Sequence, residues 1–175
     1  MKKILLISIF ILISALSAQA NEIKRIFVGN ESAKISIIAF ESLTCSYCAK
    51  FHQDVYPLLK KEYLDTGLAK IEFRHFPLDI AAFNASKVAQ CTNDGNLEIL
   101  ESLYANQQKW VKGSSIEEAN INLQKFLSKE GFNIDFESCI NNKQIEDFVL
   151  NDRIDGAKNF KVNATPTIII NNEKF

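Results

Sequence analysis

No run of basic residues occurs in this chain of 175, and its formal charge is close to neutral at −1. Nucleic acid and anionic lipid select a basic footprint, and none is present for either. Internal repeats and low-complexity segments are also missing, which leaves one domain or one domain carrying an insertion. Histidine is scarce: His52 and His75 are the only two. Long apolar runs are absent except at the start, where Ile4 to Ile13 is too short to favour a membrane span. That run follows Lys2-Lys3 and precedes Ala18-Gln19-Ala20, the arrangement of a secretory signal with an A-x-A cleavage site. Residues 1–20 are therefore expected to be a signal peptide cut after Ala20, with a permanent N-terminal anchor as the other use of such a segment. Export permits disulfides, and the chain carries four cysteines: Cys45, Cys48, Cys91 and Cys139.

What the chain does have is concentrated in Ile35 to His52. Ile35, Ile37, Ile38 and Phe40 read as a buried strand, followed by a turn and a helix that opens at Cys45. Cys45-Ser46-Tyr47-Cys48 is thus a C-x-x-C on the first turn of a helix. The unpaired amides and positive dipole end at that position favour an anion, so Cys45 is expected to ionise more readily than a free thiol. Cys48, one turn on, is within reach of a mixed disulfide at Cys45. The helical spacing continues through Phe51, Val55, Leu58 and Leu59 to Leu64, with a kink or break expected at Pro57 and an end at Gly67. Lys70 to Phe76 alternates with period two and reads as a second strand, giving a βαβ unit with a parallel pair.

The next eighty or so residues read as helices, from the alanine-rich 81–92 to 144–160, with a capping box at Ser115-Ile-Glu-Glu118. Asn21 to Lys34 reads as a short lead-in. Thr167 to Ile170 is a strand, and Asn171-Asn172 suggests a hairpin whose partner begins at Phe175. The architecture is an α/β sheet interrupted by an all-helical insertion, with segments 21–76, 77–160 and 161–175. Trp110, Tyr104 and the phenylalanines read as core. Glu117, Glu118 and Asp152 read as solvated faces.

Taken together, Ser42-Leu-Thr-Cys-Ser-Tyr-Cys-Ala-Lys-Phe-His52, Phe73-Arg-His-Phe-Pro-Leu78, Cys91, Cys139 and Val162-Asn-Ala-Thr-Pro-Thr167 resemble the DsbA-like thiol–disulfide oxidoreductases, a thioredoxin fold with a helical insertion. The resemblance implies that Cys45 attacks and Cys48 resolves, that Thr165-Pro166 is a cis bond beside them, and that Cys91 and Cys139 form a structural disulfide. Such a bridge closes a loop of about 49 residues, worth roughly 4 kcal/mol on the chain-entropy model. It implies no cofactor, since the sulfurs carry the electrons. The implied partners are reduced or unfolded exported proteins and a quinone-linked membrane oxidase that regenerates the disulfide, for a monomer in the periplasm. Relatives continue beyond the last strand with a hairpin partner and a C-terminal helix, and the expectation is that both are missing from a truncated sequence.

Two departures leave choices open. The buried acid of many relatives falls at Ala39. Glu41, two residues on and so on the same strand face, is the candidate to take over proton transfer to Cys48, or else a carboxylate in solvent beyond the strand end. His52 is a candidate second member of that relay. Ser46-Tyr47 lacks the proline of the strongest oxidants, and Tyr47 with Thr165 resembles the isomerase branch, so a disulfide isomerase or reductase using the same cysteines is the alternative. A zinc-binding or scaffolding protein is the remote one, with Cys45, Cys48, His52 and His75 as formal ligands.

Overall fold

The computed structural model describes residues 22–175, so the signal segment expected over 1–20 lies outside the described residues. Five strands make one mixed sheet: β1 (Ile26–Gly29), β2 (Ile35–Glu41), β3 (Ala69–His75), β4 (Thr167–Ile170) and β5 (Glu173–Lys174), in spatial order β1-β3-β2-β4-β5. The β2–β3 pair is parallel, in register from Ile35↔Ala69 to Glu41↔His75, while β1, β4 and β5 all pair antiparallel to their neighbours. The parallel pair needs a crossover, and the helical segment after Cys45 supplies it. That segment comprises α1 (Ser46–Lys50), a π-helical turn (Phe51–Val55), α2 (Tyr56–Leu59) and a second π-helical turn (Lys60–Leu64).

The kink expected at Pro57 takes the form of the first of these wide turns. Proline removes an amide donor and its ring crowds the carbonyl four residues back. Widening the turn just before it opens the ladder there without ending the helix. Gly67, at φ +76°, turns the chain into β3.

Between β3 and β4 lie six helices: α3 (Ile80–Gln90), α4 (Glu98–Ala105), α5 (Gln107–Trp110), α6 (Ile116–Lys129), α7 (Phe136–Ile140) and α8 (Lys143–Asn159). Their start signals act locally. Asp79, Ser115, Asp135 and Asn142 each accept a first-turn amide at the N-cap of α3, α6, α7 and α8. The box at Ser115 is half made, because the Glu118 carboxylate reaches Ser114 N at 2.7 Å rather than Ser115.

The main core joins Ile37, Ala39, Ile71 and Phe73 of the sheet to Ala85, Val88, Leu100 and Leu103 of the insertion. A smaller one, Phe40, Phe76, Val162 and Ile169, includes the side of β2 facing away from it. There α8 comes so close that a Cβ on Gly156 would lie 2.8 Å from Phe40 Cε1. Cys91, at the end of α3, is bonded to Cys139 of α7 (S–S 1.96 Å) across 48 positions. Among the described residues, no helix is long and apolar enough to cross a membrane.

Three expectations are corrected. The lead-in contains β1, whose IFVG has too few residues for a period to show and is held by pairing with β3. The hairpin partner begins at Glu173, not at Phe175, so a partner strand expected to be missing is present as β5. Asp152 is not solvated: at 1 % exposure its carboxylate accepts from Arg25 Nη1 at 2.5 Å and from His75 N at 3.1 Å. A charge that deep persists only when paired and hydrogen-bonded, as here.

Candidate active site

The turn between β2 and α1 is built by short local bonds. Cys45 N donates to Ser42 O at 3.0 Å, and Cys45 then takes the N-cap of α1 in an extended conformation (φ −78°, ψ 119°) with no side-chain cap bond. Two ties fasten this turn to the segment leaving β3. Thr44 Oγ1 donates to Asp79 Oδ2 at 2.7 Å, and Leu78 N donates to Ser42 Oγ at 3.2 Å.

A third tie comes from the insertion. Gln107, buried on α5, donates through Nε2 to both Leu43 O (2.8 Å) and Cys45 O (3.0 Å). Nothing in the spacing of the Gln107-Gln108 pair signals that role, and it was not anticipated. Its only clue is a polar residue three before a tryptophan that packs in the core.

The two sulfurs are free and unequal: Cys45 is half-buried, whereas Cys48 is fully covered. Cys45 Sγ donates to the carbonyl of Thr165 at 3.3 Å, and the Thr165–Pro166 bond is cis. The backbone carbonyl just before β4 thus faces the Cys45 sulfur. Burial, and then the nearby Glu41 carboxylate, push the Cys48 thiol far above its ordinary value. Tyr47, between the cysteines, is 72 % exposed.

Glu41 is buried, which removes the solvent-facing alternative. Its Oε2 is 2.8 Å from His52 Nε2, and its Oε1 is covered with no hydrogen-bond partner. Ala39 and Glu41 do share a face, and the carboxylate reaches the site one strand repeat closer to Cys45. His52 stacks on Tyr104 with ring centroids 4.2 Å apart and an interplanar angle of 19°, so Tyr104 belongs to the site's wall as well as to the core. Burial, then Glu41, hold the Tyr104 phenol well above its ordinary value, so it stays protonated.

The four formal zinc ligands are divided. His75 sits under α3 with its Nε2 3.2 Å from Gln90 Oε1, and burial lowers its pKa from the ordinary 6.5. Among the described residues, no three His, Cys, Asp or Glu side chains are grouped to hold a metal ion.

Known proteins share this layout. The Thioredoxin family model matches residues 21–175. A protein-disulfide oxidoreductase of Rickettsia typhi is 26% identical over 148 residues, which cover 82% of this chain and 53% of that protein. Disulfide bond formation protein D of Bacillus subtilis is 26% identical over 157 residues, covering 83% of this chain and 67% of the relative. The chain thus spans about half the length of the Rickettsia proteins it matches. Among solved structures, alpha-DsbA1 of Wolbachia pipientis is similar with a TM-score of 0.74 at 30% identity, covering 83% of this chain and 74% of that one. A free C-x-x-C facing a cis proline, on a thioredoxin sheet split by helices, is what these matches have to explain. This chain belongs to the thioredoxin family, in its DsbA-like branch.

Proposed function

We infer that the chain is a thiol–disulfide oxidoreductase that introduces disulfides into exported proteins through Cys45 and Cys48. The observation that carries this reading is the half-buried Cys45 sulfur held 3.3 Å from the Thr165 carbonyl at a cis proline, with a second, covered sulfur one helical turn behind it. In the oxidised form, a substrate thiolate attacks Cys45 and Cys48 leaves. A second substrate thiolate then displaces Cys45, so two electrons stay on the dithiol and the substrate departs as a disulfide. The backbone around Thr165 pairs with the extended substrate, in the manner of strand addition. Glu41 and His52 serve as the proton relay for Cys48, because their covered side chains meet at 2.8 Å and the Glu41 charge acts on that sulfur.

The Cys91–Cys139 bond has a structural role, since it fastens α3 to α7 inside the insertion. The lysine pair, apolar run and A-x-A of residues 1–20 support export, with the periplasm as the working compartment. There the protein acts as a monomer on reduced proteins, and a quinone-linked membrane oxidase restores the disulfide.

The test is oxidation of a reduced, unfolded protein with paired cysteines, run beside insulin reduction and scrambled-ribonuclease reshuffling. Stoichiometric disulfide transfer that is lost in Cys45→Ser is expected. Strong reshuffling with weak oxidation would move the chain to the isomerase reading, which Tyr47 and Thr165 favour. In the same samples, iodoacetamide should label Cys45 well before Cys48, because the second sulfur is covered and its thiol held protonated.

A further inference from the structure

The crossover segment after Cys45 and helices α4 and α5 of the insertion leave space between them, in two cavities. The smaller, of about 360 Å³, begins at Ser46, the residue after Cys45, and takes its far wall from Asn106, Gln108 and Lys109. The larger, of about 500 Å³, lies further along, at Tyr56, Pro57 and Glu101. Ala49, Gln53, Tyr104 and Ala105 line both, so the two are compartments of one groove. Gln107 joins this groove to the reactive turn, since it lines the smaller compartment and donates to Cys45 O at 3.0 Å. The compartments differ in chemistry. Lys50, paired with Asp54 at 3.2 Å, and the exposed Lys109 border the smaller one among amide side chains. The larger is walled mostly by alanine, proline and tyrosine, and its Lys60 and Glu101 are opposite in sign.

A helical rise of about 1.5 Å per residue puts Lys50 about 7 Å and Tyr56 about 16 Å along the axis from Cys45. An extended chain, at about 3.3 Å per residue, covers those distances in about two and about five residues. We propose that this groove reads the substrate's sequence beside its reacting cysteine. An acidic side chain about two residues away meets Lys50 and Lys109, and a large apolar one about five residues away enters the larger compartment. The inference deepens the thiol-exchange reading above and rests on it. The occupant is an extended segment of a reduced protein, because the groove starts next to the sulfur that such a protein attacks. One wall belongs to the insertion, so the helices between β3 and β4 contribute to substrate choice as well as to the core.

Peptides with one central cysteine, activated as a mixed disulfide with thionitrobenzoate, test this on the full chain with its Cys45–Cys48 pair reduced. The Cys45 thiolate attacks the peptide sulfur and the Cys45–peptide bond forms. The bond to thionitrobenzoate breaks, and the electron pair leaves on that coloured thiolate, whose appearance gives the rate. One peptide carries aspartate two and tryptophan five residues before the cysteine, a second carries them after it, and a third has serine at all these positions. At low peptide concentration, at least one of the first two is expected to react about tenfold faster than the third, the scale that burial of a large apolar side chain supplies. Equal rates for all three overturn the proposal.

Two substitutions at exposed positions locate the effect. Ala105→Phe fills the wall common to both compartments and should remove most of the tenfold advantage. Lys109→Glu should cut it about threefold, through the aspartate. Both leave Cys45 and Thr165 in place, so the serine peptide is expected to keep its wild-type rate. An advantage that survives either substitution, or a serine peptide slowed as much as the others, overturns the groove. Failure of the underlying reading looks different: no peptide, the serine one included, would release the dye from the wild-type protein faster than a model thiol does, and the groove would fall with it.

Discussion

Replacing Gln107 with leucine removes one side-chain amide and strands one carbonyl. Nε2 donates to Leu43 O and Cys45 O, but Cys45 O also accepts from Ala49 N at 3.1 Å inside the helix. Only Leu43 O loses a donor that nothing else supplies. A buried acceptor left unpaired costs about 1–3 kcal/mol, and leucine matches glutamine closely enough in volume that little cavity term adds to it. For a chain of this size, about 2 kcal/mol corresponds to a Tm lower by about 4–8 °C. The damage should also appear in function, because the two carbonyls flank the turn that aims Cys45 at Thr165. Calorimetry of both redox forms gives the stability change, and iodoacetamide kinetics at Cys45 report the aim of the turn. The signature expected is a lowered Tm together with an altered Cys45 alkylation rate. A folded Gln107→Leu with the wild-type Tm would show that the insertion does not brace the reactive turn, and the reasoning would fail there.

Gly156→Ala places a methyl 2.8 Å from Phe40 Cε1, 2.9 Å from Cδ1 and 3.1 Å from Phe76 Cδ2. Overpacking of that kind costs about 1–3 kcal/mol, and a denaturation midpoint equal to wild type would refute it. Cys91→Ala with Cys139→Ala should lower stability by roughly 4 kcal/mol through the loop it reopens. Urea titration checks this, while peptide oxidation at Cys45 by the folded fraction is expected to persist. His75 gives a pH dependence of definite sign. Burial lowers its folded pKa below the unfolded 6.5, so the unfolded chain binds the proton more readily. Its contribution is complete above pH 6.5 and is lost as pH falls below it, at up to about 1.4 kcal/mol per pH unit. Tm measured from pH 7.5 to pH 5 should fall in the wild type and fall less in His75→Gln.

The parts of this molecule that sequence made legible are those whose cause is local. The period-two run at Lys70 to Phe76 became β3, the caps at Ser115 and Asn142 opened their helices, and Asn93 and Gly95 turn the chain with positive φ after α3. Cys45, Cys48 and the Thr165-Pro166 bond were placed by an ordered set of motifs, and they meet in space. What escaped were partners set by tertiary packing. Ile26 to Gly29 is too short to show a period and is a strand only because β3 offers an open side. Asp152 looks like one more acid on a polar helix until Arg25 and His75 close on it. Tyr104 and Gln107 reach the site from helices whose docking no spacing rule encodes. Glu41 was ambiguous for the same reason, since strand alternation gives its face but not whether His52 arrives to meet it.

The clasp between Arg25 and Asp152 bears on how the molecule is made. The arginine precedes the aspartate by 127 positions, and its neighbour Lys24 offers its carbonyl to Gln90, itself far along the chain. A ribosome therefore delivers the first strand long before either of its anchors exists. Contacts of such separation close late and slowly, so the first strand can pair with β3 and meet Gln90 halfway through synthesis, but its clasp to Asp152 waits for the last helix.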